Sequence, residues 1–131
     1  MITLERTNYG LRVTLRGVVT LAATCAYHAD LRQQLTSMNP GFSMLMDYRS
    51  AEPIIDTAIE EEFKATVPDA LAAGMVRIGV IGANGVGAVQ AQRVATESGL
   101  GEMFRCVNGK NPDAVRITEA WVAKGRRLVG A

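Results

Sequence analysis

A chain of 131 residues, 48% hydrophobic and 21% charged, holds enough apolar material for one globular core and leaves no room for a second domain. Its net charge of +1 supplies no global field toward nucleic acid or anionic lipid, so any partner is recognised locally. The first eleven residues carry Glu5 and Arg6 and lack a long apolar core, which argues against a signal peptide or a transmembrane segment and makes the cytoplasm the expected location.

Ile2 and Leu4 alternate with Thr3 and Glu5, and Leu11, Val13 and Leu15 alternate with Arg12, Thr14 and Arg16. Asn8-Tyr9-Gly10 supplies turn chemistry between them, so the chain opens on a β-hairpin with one wet face. Thr20 is an expected N-cap for a helix whose stripe is Leu21, Thr24, His28, Leu31, Leu35 and Met38, stopped by Asn39-Pro40-Gly41.

Phe42 to Met46 is a nearly continuous apolar run of strand length, the mark of a strand covered on both faces. Asp47 to Pro53 reads as a polar loop, followed by a helix capped at Asp56 or Thr57, with Thr57 and Glu60 forming a capping box. Glu60, Glu61 and Glu62 suit the first turns of that helix and otherwise read as a solvated acidic face. Pro68 predicts a break near Thr66 and a short second helix to Ala73, ended by Gly74.

The same strand-helix unit then recurs twice, as strand Val76 to Ile81 with helix Ala88 to Ser98, and strand Met103 to Val107 with helix Asp113 to Lys124. On the last helix Ala114, Ile117 and Trp121 are expected to face one way. The fold class is therefore α/β, a single domain over residues 1–131 with a mixed, mostly parallel five-stranded sheet in the order ββαβαβαβα, the hairpin supplying its antiparallel edge.

That order, together with the Leu45-Met46-Asp47 strand end, the Val76 to Ile81 strand after a short helix and the closing Glu119-Ala120-Trp121-Val122 helix, resembles the SpoIIAA-like (STAS) family of small bacterial domains. The resemblance covers nearly the whole chain. It implies a non-enzymatic regulatory module that works by protein–protein interaction, since the well-studied relatives are antagonists of anti-sigma factors. Those relatives carry a phosphoacceptor serine in an Asp-Ser-Ser-Gly stretch. Here Asp47 is followed by Tyr48, Arg49 and a lone Ser50, so the resemblance does not extend to that motif and leaves phosphorylation of Ser50 open.

Gly82-Ala83-Asn84-Gly85-Val86-Gly87 is reminiscent of a dinucleotide-binding turn. The following strand ends at Val107-Asn108-Gly109, without the acid that would hold a ribose, so the glycines are read as permitting a tight strand-to-helix connection. His28, on an apolar stripe with no carboxylate recognisable beside it, is read as a buried core residue making one hydrogen bond. Cys25 and Cys106 are read as reduced, buried thiols, and Lys124, Arg126 and Arg127 as a solvated tail.

No catalytic residue, metal site or cofactor is expected. The expected interaction rim is formed by the loops after the third and fourth strands, with Asp47, Arg49, Ser50 and Asn84 as its polar groups. The expected partner is a protein, a second copy of the chain being one option. A small anionic ligand, nucleotide, acyl or lipid, bound at the same strand C-terminal rim is the alternative.

Overall fold

In the computed structural model residues 1–130 are described, with side chains as far as Gly125. Arg126 and Arg127, expected in a solvated tail, lie outside the described side chains, whereas Lys124 is exposed.

Strand β1 (Ile2–Arg6) and β2 (Gly10–Gly17) form the hairpin, followed by α1 (Leu21–Leu35), β3 (Ser43–Ala51), α2 (Thr57–Ala72), β4 (Arg77–Gly82), α3 (Gly85–Glu97), β5 (Phe104–Asn108) and α4 (Ala114–Gly130). The five strands lie side by side in chain order, β1 antiparallel to β2 and every later pair parallel. This is the expected order, and the protein is a single small α/β domain with a mixed sheet.

Three successive crossovers step one strand in the same direction, and right-handed connections then put α1, α2 and α3 on one face. The cores agree. Tyr27, Leu31, Ile59, Ala70 and Ala95 pack with Leu11, Val13, Met44, Met46, Ile78 and Val80. On the opposite face Ala114 and Val122 of α4 pack with Tyr9, Leu45 and Ile81. On that face Thr14 is buried and Arg12, which reaches Glu119 of α4, is half-buried, so the hairpin does not have the fully wet face its alternation suggested.

Thr20 caps α1 as expected, its Oγ1 accepting from the Ala23 amide at 3.1 Å. Thr24, Tyr27, His28, Leu31 and Leu35 are its buried positions, while Leu21 is exposed.

Elsewhere the structure corrects the sequence reading. The stretch expected as a polar loop from Asp47 continues β3 to Ala51, because β2 runs alongside and pairs Thr14 with Asp47, Arg16 with Ser50 and Gly17 with Ala51. Backbone pairing outweighs local polarity there. Asp56 takes the N-cap of α2, its Oδ1 accepting from the Ala58 amide at 2.8 Å, so Thr57 is already helical and the Thr57–Glu60 capping box does not form.

No break occurs near Thr66. Helix α2 runs through Pro68 to Ala72, losing one backbone bond but burying Ile59, Thr66 and Ala70, and ends before Gly74 at φ +101°. Among the described side chains of α4 the buried positions are Ala114, Thr118, Val122 and Gly125, with Ile117 and Trp121 only half-buried, so its inner face is centred one residue away from the expected stripe. Thr118 is tolerated inside because its Oγ1 donates to the Ala114 carbonyl at 2.7 Å. Cys25 is exposed and Cys106 half-buried, since Cys25 faces outward between buried Thr24 and Tyr27.

Candidate functional site

Parallel strands bring their C-terminal ends to one edge, so the segments after β2, β3, β4 and β5 share a rim with the first turns of α1, α2 and α3. Of the four expected rim residues, Asp47 is the least available. It is buried, on the α4 face of β3, and Arg49 doubles back onto it, Nε to Oδ1 at 3.0 Å and Nη2 to Oδ2 at 2.7 Å. The Arg49 amide adds a bond to Oδ1 at 3.0 Å, and Arg12 donates from β2 to Oδ2 at 3.2 Å while reaching Glu119 of α4 at 3.2 Å. Burial pushes the Asp47 carboxyl up, but the Arg49 bonds and charge, with Arg12, carry it net below its ordinary value. Asp47 therefore organises the rim and holds Arg49, which remains partly exposed.

Ser50 is exposed near the end of β3. Asn84 is the N-cap of α3, its Oδ1 accepting from the Gly87 amide at 2.9 Å. Of the glycines in that turn, Gly82 is favoured by space, as a Cβ there would stand 3.1 Å from the Ala88 amide nitrogen, whereas Gly85 faces open space. This is the tight strand-to-helix connection that the sequence suggested.

Apolar side chains crowd the same rim. Ile55 is 92% exposed, Val86 80% and Val89 72%, and Val18, Leu21 and Met1 join them at this end of the sheet. Among the described residues only one other large apolar side chain is exposed, Leu71 near the far end of α2.

Beneath the rim lies a cavity of about 250 Å³ between α2 and α3, floored by β3 and β4. Phe63 and Val67 line one wall, Ala91 and Val94 the other, and Met46 and Val80 the floor. The cavity exists because α3 turns small residues inward, Gly87, Ala91, Ala95 and Ser98 at helical spacing, and these cannot fill the space opposite α2. On its solvent side four charges bridge the helices: Arg93 to Glu60 at 2.9 Å, Arg93 to Glu97 at 3.1 Å, and Lys64 to Glu97 at 2.6 Å and to Glu60 at 3.7 Å. The Arg93 hydrogen bond holds the Glu60 carboxyl below its ordinary pKa, and the Lys64 bond does the same for Glu97. Gln90 closes one side by donating to the Ile54 carbonyl at 2.8 Å.

His28 is buried as expected, but it makes two bonds rather than one. Nδ1 lies 2.7 Å from Glu62 and Nε2 2.8 Å from Asp69, and Arg32 also donates to Asp69 at 3.0 Å. Glu62 thus leaves the solvated acidic face assigned to its run. The two carboxylates arrive from α2, so the arrangement straps α1 to α2. Among the described residues no group of three or more His, Cys, Asp or Glu side chains is placed to hold a metal ion, and no helix is long and apolar enough to cross a membrane.

Sequence reasoning missed the cavity, its bridging charges and the His28 carboxylates. The small residues repeating along α3 and the pairs Glu60/Lys64 and Arg93/Glu97, each four apart, were the available signals. Compared with known proteins, the sequence matches no family model, and no curated protein matches it significantly.

Proposed function

We propose that this chain is a non-enzymatic regulatory module of the SpoIIAA-like (STAS) type, binding a protein partner through the strand C-terminal rim in the cytoplasm. The observation that carries the reading is the concentration of exposed Val18, Leu21, Ile55, Val86 and Val89 at that one end. Large apolar side chains left exposed together at one end of a domain are a usual signature of an association surface. Arg49, Ser50 and Asn84 supply polar groups within it, and Arg49 is pre-set by Asp47, which lowers the ordering cost of contact. The groups an acid–base reaction would need, His28 and Asp47, are each held by structural partners, which favours a binding role over a chemical one.

Affinity capture with immobilised wild-type chain, compared with Ile55→Asp, Val86→Asp and Leu71→Asp, tests the reading. The expected result is a partner lost with the two rim variants and retained with Leu71→Asp, at unchanged melting temperature. Light scattering on the same samples identifies a second copy as that partner. Equal loss with Leu71→Asp, or retention by both rim variants, would move the surface elsewhere.

A further inference from the structure

We propose that the cavity between α2 and α3 is a binding site for a neutral acyl group, an ester or thioester carrying a chain of about ten carbons, seated with its carbonyl at the Tyr48 hydroxyl. The inference stands on the cavity and does not depend on the protein-partner reading.

Shape comes first. The lining residues of α3 run from Asn84 to Ser98 along one face of the helix, and at 1.5 Å per residue that is roughly 20 Å of wall. A volume of about 250 Å³ spread along such a wall is a trough, suited to a chain rather than a ring system. An apolar cavity of roughly 150 Å³ accommodates the six carbons of benzene, which scales to about ten carbons here. An empty apolar trough forfeits the dispersion contacts its walls would otherwise make, and a methylene chain restores them.

Polarity comes second. The charged residues among the lining side chains are Glu52 and Glu60, both carboxylates; no lysine or arginine lines the cavity, and Arg93 and Lys64, which pair with Glu60 at its solvent side, are both also engaged with Glu97. Phosphate, and to a lesser degree a free carboxylate, would face the Glu52 carboxylate and find no cation in the lining to pair with, so the nucleotide and anionic-lipid options lose support and an uncharged acyl derivative gains it. Within the cavity the Tyr48 phenol has only the Met46 thioether near its hydroxyl, at 4.0 Å, a weak partner. A carbonyl oxygen would give that hydroxyl a proper acceptor. The Ser98 Oγ, at the opposite end of the α3 wall, is buried with no hydrogen-bond partner, so a second polar atom is available at the inner end.

Isothermal titration with S-acyl-N-acetylcysteamines of six to sixteen carbons, and in parallel with 1-decanoylglycerol and decanoate below micelle formation, tests the site. Binding is expected to peak near ten carbons, with decanoate at least tenfold weaker than the neutral forms. The ester and thioester arms then distinguish a lipid from a carrier-bound source, and preference for either supports the proposal. Ala91→Phe, which fills the trough, should abolish binding while keeping the wild-type circular dichroism spectrum. Tyr48→Phe, which removes one hydroxyl, should weaken binding about fivefold. Affinity that rises steadily to sixteen carbons, equal binding by Ala91→Phe, decanoate as tight as the neutral forms, or no binding at any length would each overturn it. Failure here leaves partner capture by Ile55→Asp and Val86→Asp variants unaffected, so the two readings fall separately.

Discussion

Arg49 closes onto Asp47 two residues earlier in the same strand, with Nε and Nη2 each donating to a different oxygen of the buried carboxylate. This geometry makes an exposed side chain part of the fold. Arg49→Glu would set a second carboxylate against Asp47, so it would lower stability as well as alter recognition, and the milder Arg49→Ala is the cleaner probe. Because Arg12 still donates to Asp47, Arg49→Ala should cost about 1–3 kcal/mol by chemical denaturation. The Asp47 carboxyl is held below its unfolded value, so its contribution is complete above the unfolded carboxylate range near pH 4 and is lost as pH falls through the lower folded value. Below pH 4 wild type should therefore lose stability more steeply than Asp47→Asn.

His28 is predicted to act through stability alone. A neutral imidazole has one N–H and can donate to only one of Glu62 and Asp69, whereas the imidazolium donates to both. Replacement by Ala should cost on the order of 1 to 3 kcal/mol, and replacement by Gln, which keeps one donor, less than that. Asp69 is held below its ordinary pKa by the His28 bond and then by Arg32, so its part of the strap is lost only as pH falls through that lowered value. Denaturation of both variants at neutral pH checks the claim, and wild-type stability in His28→Ala would remove the strap from the energetics.

The element order was legible because each element announces itself locally: Thr20 caps α1, Gly74 ends the α2 segment, and Val76 to Ile81 reads as a covered strand. What was not legible depends on distant residues. Asp47 looks like loop chemistry until Arg12, 35 residues away, lies beside it, and His28 lacks carboxylates until α2 delivers them from 34 and 41 residues away. The rim could be placed from topology, since strand C-termini converge, but its apolar character came from Ile55, Val86 and Val89, whose exposure no local pattern specified.

Pro68 gives a test of how packing overrode propensity. The helix continues through it although the Lys64 carbonyl loses its intrahelical donor. Pro68→Ala should leave the melting temperature unchanged or raise it by about 2 degrees, because the restored bond offsets the greater freedom of the unfolded chain. A clear loss of stability would mean that the proline ring itself is a packing element between α2 and its neighbours.

NAD and NADP should produce no measurable heat on titration. Asn108 ends β5 where a ribose-binding acid would be needed, and Asn84 already uses its side chain to cap α3. Micromolar affinity abolished by Gly85→Val would reverse this expectation, since Gly85 faces open space and its replacement would obstruct a ligand without crowding the fold.

Gly79 should be a sensitive position where α4 packs on the sheet. A Cβ added there would stand 2.6 Å from the Thr118 Cγ2 and 2.9 Å from the Val122 Cγ1, both on fully buried side chains with no space to move aside. Helix α4 would have to lift from β4, uncovering Leu45 and Ile81 and loosening the Arg77 bond to the Trp121 carbonyl at 2.7 Å. Overpacking of this kind costs typically 1–3 kcal/mol, so Gly79→Ala should lower stability by about that amount. Trp121, flanked by the Arg77 and Arg105 guanidinium groups at 4.6 and 5.0 Å from its ring centroid, is the single tryptophan and reports the displacement directly. Its fluorescence should shift to the red in Gly79→Ala, and the companion variant Gly79→Ala/Thr118→Ser, which removes the obstructing methyl, should recover part of both the shift and the lost stability. Full wild-type stability in Gly79→Ala alone would mean that α4 rides farther from the sheet than these contacts require.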